Sequence, residues 1–263
     1  GVWIAYAKIG KSTMLLNHVV AASLSNRRAL LVVLEGSLRQ ACARLDSSFG
    51  GVLYTKVKHG QIEGEALDRM VARYSGLRNS VVVRAFTDRW DVTIRDIEGE
   101  LKELHDHNGW DPDLITVDYG DLLGSRGHSN SIYETQKASF RDLKSLANRG
   151  YALWTASQAQ RPKEGAESKP HVIVSRMIAD CYEKVRIADF LGSINCTTQE
   201  FQQKVARIYA ELYRDNAADR LVTIRADHSR MLMWHEEGLV SDVMTGAGGG
   251  VPLMMTNQSR MPF

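Results

Sequence analysis

The first 25 residues constrain the fold more than any other part of the sequence. A short apolar run, Val2–Ala5, leads into a loop that ends in the sequence GKST at positions 10–13. Apolar residues at helical spacing follow at once, which predicts a helix over residues 12–25. A strand, a loop with glycine and lysine, and a helix in this order are typical of a phosphate-binding P-loop. Ala5 stands where the first glycine of that pattern is usual.

The chemistry of this loop follows from its position between a strand and a helix. Backbone N–H groups of the loop and of the helix N-terminus can hold phosphate oxygens. Lys11 would reach the β- and γ-phosphates, and the hydroxyl of Ser12 would bind Mg²⁺. A chance GKS sequence at the start of a helix is the alternative, but the preceding strand favours a nucleotide site. The residues predicted to contact the nucleotide are Ala7, Lys8, Ile9, Gly10, Lys11, Ser12 and Thr13.

Three later strands end in polar residues that suit the same site. The apolar run Leu114–Asp118 has the Walker B pattern, in which the terminal aspartate supports the Mg²⁺ ion. The run Ala29–Leu34 is followed by Glu35, which could activate the attacking water or could instead cap a helix or face solvent. The run Tyr151–Ser157 is followed by Gln158, which could contact the γ-phosphate or could be a surface residue.

The whole chain alternates strands with helices, which predicts an α/β fold with a mainly parallel sheet and helices on both faces. Further helices are predicted over 38–49, 62–74, 93–107 and 134–149, and further strands over 81–84, 188–194, 206–213 and 221–226. Gly150 is predicted to cap the fourth of these helices, and the last two strands are predicted to form a hairpin. With 263 residues, 44% of them hydrophobic, the chain can bury a full core.

The two ends of the sequence differ in character. We expect one domain over residues 1–238 and a loosely ordered tail, rich in glycine, over residues 239–263. Because Gly1 leads directly into an apolar strand, we also expect that N-terminal sequence is missing.

Composition excludes several classes of protein. The 33 Lys and Arg residues nearly balance the 31 Asp and Glu residues, so nucleic acid could be bound only through local loops. Three scattered cysteines form no CxxC pair, which argues against zinc and disulfides and favours a reducing compartment. Residues 105–107 contain two histidines and an aspartate, but a solvated helix end is favoured over a metal site. Without a long apolar segment or a signal peptide, the protein is predicted to be cytoplasmic and to have no membrane partner.

Taken together, the motifs resemble those of the DnaB-type replicative helicases, a branch of the RecA-like P-loop superfamily. The matching segments are AYAKIGKSTMLLN, LLVVLEGSLRQACARL, DLITVDYGDLL and FRDLKSLANRGYALWTASQAQR. The resemblance implies a RecA-like P-loop NTPase core with a twisted, mainly parallel sheet, and ATP with Mg²⁺ as cofactors. It implies that Glu35 is the catalytic glutamate, Asp118 the Walker B residue and Gln158 the sensor glutamine. It also implies a hexameric ring that unwinds DNA along one strand, with a primase or a helicase loader as further partners.

The family places an arginine finger in a Lys-x-Arg sequence on a late hairpin, where it reaches the nucleotide of the neighbouring subunit. The corresponding residues here are Leu212, Tyr213 and Arg214, so Arg214 is implied as the finger. Leu212 departs from the family pattern, which expects lysine. Arg207 and Arg220 therefore remain alternatives.

The family contacts DNA through loops that line the central channel, and these correspond to residues 124–131 and 161–174 here. Basic side chains there would contact the phosphates of single-stranded DNA without sequence preference. The residues predicted to contact DNA are Arg126, His128, Arg161, Lys163, Lys169 and Arg176.

Two other functions remain open at this stage. One is a RecA-like or KaiC-like ring or filament ATPase that unwinds nothing. The other is a nucleotide-gated assembly or loading factor, which the departure at Leu212 favours.

Overall fold

The structure is a computed structural model of the chain. It describes residues 1–77, 80–89, 91–125, 131–160, 172–178, 183–214 and 218–238. The predicted tail over 239–263 lies outside the described residues.

Within the described ranges, nine strands form one sheet in the order β3-β2-β4-β5-β1-β6-β7-β8-β9. The first six strands in this order are parallel, and the last three run antiparallel to their neighbours. The expectation of a mainly parallel sheet is therefore confirmed. The strands are β1 Val2–Ala5, β2 Ala29–Val33, β3 Val81–Ala85, β4 Leu114–Asp118, β5 Ala152–Gln158, β6 Phe190–Asn195, β7 Val205–Tyr213, β8 Arg220–Asp227 and β9 Leu232–Trp234.

Eight α-helices accompany this sheet in the described part of the chain. They are α1 Lys11–Leu24, α2 Leu38–Gly50, α3 Tyr54–Lys58, α4 Glu65–Ser75, α5 Ile94–Asn108, α6 Ile132–Ala147, α7 Glu183–Ile187 and α8 Thr198–Gln202. Two of the long helices begin at capping boxes, in which Ser37 pairs with Gln40 and Thr93 pairs with Asp96.

Helices cover both faces of the sheet, and the alternation of side chains along the strands explains why. On β2, Leu30 and Val32 pack with α5 and α6, whereas Leu31 and Val33 pack with α1 and α2. Every residue of β2 is buried, as its uninterrupted apolar sequence predicted. Because β2 is buried on both faces, its position in the sheet is fixed. The candidate site lies at the carboxyl end of β2 and of its parallel neighbours.

The helix α4 and the cap after α6 differ from the sequence predictions. Helix α4 begins at Glu65 instead of Ile62 because Gly64 takes a positive φ of 57°, which interrupts the helix before it. The cap of α6 is Asn148, and Gly150 follows in the turn with a φ of 105°. The predicted hairpin is confirmed as β7 and β8.

Candidate nucleotide-binding site

The carboxyl ends of β1, β2, β4 and β5 meet at one edge of the sheet because these strands are parallel neighbours. Val33 of β2 pairs with Asp118 of β4, and Ala5 of β1 pairs with Gln158 of β5. The P-loop, Glu35, Asp118 and Gln158 are far apart in the sequence. They follow or end these four strands, so they lie side by side at this edge. Ligands of open α/β sheets bind at this edge.

The loop between β1 and α1 folds around its own lysine. The Nζ of Lys11 lies 3.4 Å from the carbonyl oxygens of both Ala5 and Tyr6. Burial lowers the pKa of Lys11, and the nearby charge of Asp121 acts most strongly in the opposite direction. A desolvated ammonium close to backbone carbonyls is ready to exchange these weak contacts for phosphate oxygens.

Gly10 is required at the start of α1 for two reasons. Its φ is 110°, a conformation that favours glycine. A Cβ atom at this position would lie 2.5 Å from Cε of Met233 and 2.7 Å from Cε1 of His228. The loop therefore passes close beneath the turn between β8 and β9, which the sequence patterns did not predict.

The P-loop serine and the Walker B aspartate are in direct contact. The hydroxyl of Ser12 donates a hydrogen bond to Oδ1 of Asp118 over 3.0 Å, across 106 residues of sequence. Burial raises the pKa of Asp118, and the Ser12 hydrogen bond lowers it in part. A hydroxyl and a carboxylate are oxygen ligands of the kind that Mg²⁺ takes, together with substrate phosphates. These two residues fit that ion.

Glu35 lies at the end of the adjacent strand β2, one residue beyond Leu34, whose N–H donates to the backbone oxygen of Asp118. Its side chain is exposed, and its charge raises the pKa of both Asp118 and Lys11. Ser37 and Gln40 form the cap of the following helix, so Glu35 is not used for that capping box. Glu35 therefore lies close enough to Lys11 and Asp118 for its charge to act on both residues.

Gln158 is exposed at the tip of β5, next to the start of the P-loop. Its backbone N–H donates to Oδ2 of Asp121 over 2.8 Å. Asp121 also accepts hydrogen bonds from Ser157 and from Lys184, whose side chain is fully buried. Sequence reasoning missed Asp121 and Lys184, although a second carboxylate in the segment DYGDLL was a signal that could have been used for Asp121.

Arg214 lies at the opposite edge of the sheet from the P-loop. It follows β7, whose last residue pairs with Phe190 at the start of β6. Its guanidinium donates to the carbonyl oxygen of Arg186 over 2.8 Å and lies 3.5 Å from the carboxylate of Asp189. Since β6 is parallel to β1, its first residue is at the amino edge of the sheet.

The two alternative arginines differ from each other. Arg207 is buried, and its Nε lies 2.7 Å from Oε1 of the buried Glu200, so it cannot reach another subunit. Arg220 is exposed at the start of β8, at the same edge as Arg214. Leu212 packs against the apolar cluster that contains Val2, so the position where the family expects lysine faces the core.

Most of the residues predicted to contact DNA lie outside the described residues, namely Arg126, His128, Arg161, Lys163 and Lys169. Arg176 is described and is exposed in a short 3₁₀ turn, Ser175–Met177. The carbonyl oxygen of Met177 accepts a hydrogen bond from the N–H of Gln160, so this turn lies beside the end of β5.

A sequence model described as the DnaB-like helicase C-terminal domain matches residues 2–178. The chain belongs to this family. The matched range includes the P-loop, Glu35, Asp118 and Gln158, and the match identifies the domain as a DnaB-like, ATP-hydrolysing helicase domain. The resemblance inferred from the four sequence segments is confirmed.

Solved structures support the fold of this DnaB-like domain. One is an ATPase domain with a TM-score of 0.76 and 16% identity, and the match covers 90% of this chain and 84% of that one. Another is a DnaB-like replicative helicase, solved for its interactions with primase, with a TM-score of 0.75 and 16% identity. That match covers 90% of this chain and 58% of that one, so the domain spans little more than half of that helicase chain. None of the curated proteins matches the chain.

Two further observations concern the predicted absences. Among the described residues there is no group of three or more His, Cys, Asp or Glu side chains that could hold a metal, and His105 instead pairs with Asp111. No helix in the described part of the chain is long and apolar enough to cross a membrane.

Proposed function

We propose that residues 1–238 form the motor domain of a hexameric replicative helicase, which uses ATP and Mg²⁺ to move along single-stranded DNA. The observation that carries the proposal is the contact between Ser12 and Asp118, with Lys11 and Glu35 beside it. This arrangement provides a cationic group, two metal ligands and a candidate base at one sheet edge. Phosphoryl transfer depends mainly on such positioning and charge stabilisation.

Each residue has a distinct part in the proposed reaction. Lys11 gives up its carbonyl contacts and holds the β- and γ-phosphates, while Ser12 and Asp118 hold the metal shell. When bound there, Mg²⁺ would supply positive charge to neutralise charge that develops on the phosphate oxygens. Glu35 orients a water molecule and accepts its proton, and Gln158 contacts the γ-phosphate.

The position of Arg214 supports a ring. It lies across the sheet from its own P-loop, at a distance of about 20 Å if the six residues of β6 are fully extended. An arginine there cannot complete its own site, but it can complete that of a neighbouring copy. The side chain of Arg214 is 48% exposed, and it would exchange its contacts with Arg186 and Asp189 for such a contact.

DNA would be held by the basic residues predicted in the loops after β4 and β5. Arg176 lies in the described part of this region and is exposed beside the end of β5. Contacts of this kind are sequence-independent and weaken as salt increases. We also propose a primase or a helicase loader as partner, and a cytoplasmic location.

The proposal is tested with purified protein, ATP and a forked DNA duplex that has a single-stranded tail. Unchanged protein should form a ring, hydrolyse ATP and separate the strands, whereas Lys11→Ala should keep its fold and lose both activities. If Lys11→Ala hydrolyses ATP at the unchanged rate, the proposed site is wrong. Hydrolysis without strand separation would favour a ring or filament ATPase that unwinds nothing.

A second candidate is a nucleotide-gated assembly or loading factor. It is favoured by one observation, the packing of the partly buried Leu212 against the core where the family has a lysine. In that case the protein should bind ATP and assemble, but turnover should stay near background with or without DNA.

A further inference from the structure

A buried ionic network lies directly behind the tip of β5 and takes no part in the reaction described above. The Nζ of Lys184 lies 2.6 Å from Oδ1 of Asp121 and 3.1 Å from Oγ of Ser157. It also lies 5.0 Å from the centroid of the Phe140 ring. The three polar residues come from α7, from the turn after β4 and from β5.

The network is closed off from water. The Lys184 side chain is 0% exposed, and that of Asp121 is 10% exposed. A buried ammonium loses its hydration, so it persists only where a carboxylate and further acceptors surround it. An apolar pair of similar volume would fill the same space at lower desolvation cost. The charged pair is therefore a poor choice for stability alone.

Asp121 connects this pair to the candidate site. It follows Asp118 by three residues, and its carboxylate accepts from the N–H of Gln158 over 2.8 Å and from Ser157 Oγ over 2.9 Å. The turn that carries it is pressed onto β5, because Gly120 N–H donates to Thr155 Oγ1 over 2.8 Å. Among the charged groups that shift the pKa of Lys11, Asp121 has the largest effect, and it raises that pKa.

We infer that Asp121, Ser157 and Lys184 form a positioning network that fixes the backbone of Gln158, so that its side chain meets the γ-phosphate in one orientation. The inference rests on the proposed function. Lys184 holds the carboxylate, the carboxylate holds the N–H of Gln158, and Ser157 bridges the two charges. These are positioning residues, since Gln158 makes the contact with substrate. The same lysine ties α7 to the turn after β4 and to β5.

The test compares two double variants that both remove the buried charges. Asp121→Asn with Lys184→Met keeps an oxygen that can accept from Gln158 N–H, whereas Asp121→Leu with Lys184→Met does not. The Leu variant should lose kcat for DNA-stimulated ATP hydrolysis by about tenfold to a hundredfold, with KM for ATP little changed. The Asn variant should recover most of that loss. Equal kcat in the two variants would overturn the inference.

Two further variants distinguish a positioning role from a merely structural one and provide a test if the Leu variant does not fold. Gln158→Ala added to the Leu variant should lower kcat no further than Gln158→Ala alone, because both changes act through one side chain; additive losses would contradict the inference. If the Leu variant does not fold, Ser157→Ala takes its place. It should lower kcat severalfold at unchanged KM, and an unchanged kcat would overturn the inference.

The chain offers a matched control in a second buried ion pair, Glu200 and Arg207, with side chains 1% and 4% exposed. It lies on α8 and β7, three strands away from β5. Glu200→Gln with Arg207→Met should change the melting temperature and leave kcat unchanged. A similar loss of kcat in this control would show that any buried charge removal disturbs the site. If Lys11→Ala also retains turnover, the proposed function itself fails; if only the network variants retain it, this inference fails alone.

Discussion

At the scale of single residues, the candidate site is built from polar groups that stand at the ends of neighbouring parallel strands. Glu35, Asp118 and Gln158 each follow an apolar run, and such runs end at one edge of a parallel sheet, so their meeting could be anticipated. Asp121 and Lys184 were not anticipated, because their roles depend on contacts between residues 63 positions apart. Periodicity within a segment carries no information about such contacts.

Glu35 gives the first prediction at this scale. Glu35→Gln should bind Mg-ATP and assemble but hydrolyse ATP about a hundredfold more slowly, because an amide cannot accept the proton of the attacking water. Turnover and ATP binding are measured separately on the purified variant. Near-normal turnover would show that Glu35 is a structural residue.

His18 gives a second prediction, on stability against pH. Trp3 Nε1 donates to His18 Nε2 over 2.8 Å, and burial lowers the pKa of His18 to about 4 from 6.5. Between these values the unfolded chain binds the proton and the folded chain does not, so stability falls as pH decreases from 6.5 to 4. The loss from this group is at most about 3 kcal/mol.

The matched variant for that prediction is His18→Gln, which keeps an acceptor for Trp3 and does not titrate. Urea unfolding at several pH values should show a smaller acid loss in the variant than in the unchanged protein. Parallel curves would mean that the pKa of His18 is the same in the folded and the unfolded states.

At the scale of elements, the sequence pattern predicted the long helices and the buried strands and missed the shortest helices. The long helices and the buried strands were predicted within a few residues. The helices α3, α7 and α8 were missed, since each has five residues and too few turns for a 3.6-residue period to be visible. Their positions depend on tertiary contacts, such as the one that α7 makes through Lys184.

The junction of α1 with β9 supports a prediction at the same scale. Asn17 donates to Met231 O over 2.8 Å and accepts from Met233 N over 3.1 Å, which attaches the last strand to the P-loop helix. Asn17→Ala should lower the free energy of unfolding by about 1–3 kcal/mol, because two backbone groups lose their partner.

A surface variant provides the comparison for that measurement. Arg69→Ala removes an exposed ion pair with Glu65 on α4, and such pairs contribute little. Its unfolding curve should overlay that of the unchanged protein. If Asn17→Ala also leaves the free energy of unfolding unchanged, β9 is held by its sheet contacts alone.

At the scale of the whole molecule, strand β7 runs antiparallel to β6 and carries Arg214 to the edge of the sheet opposite the P-loop. The sequence indicated a hairpin but could not indicate this direction, because an antiparallel pair at the sheet's end can point either way. One copy therefore presents a nucleotide site at one edge and an exposed arginine at the other. Copies placed head to tail would form a closed ring or an open filament.

Mixing two defective variants tests whether these edges meet. Arg214→Ala should bind ATP nearly normally and lose assembly-dependent turnover by about a thousandfold or more, the usual contribution of an arginine finger. Lys11→Ala should be inactive because its own site is defective. In a mixed ring, an interface that joins Lys11 of the first variant to Arg214 of the second is complete. Mixed rings should therefore regain some hydrolysis, measured at a fixed total protein concentration.

The same mixture with Arg220→Ala in place of Arg214→Ala decides which arginine acts. Both residues lie at the amino edge of the sheet, and only the acting one should be inactive alone and rescued in the mixture. If Arg220→Ala behaves in this way and Arg214→Ala hydrolyses ATP normally, the finger lies on β8. If neither substitution changes turnover, the neighbouring copy contributes no arginine from this edge. The partly buried Leu212 would then mark an interface that differs from the family's.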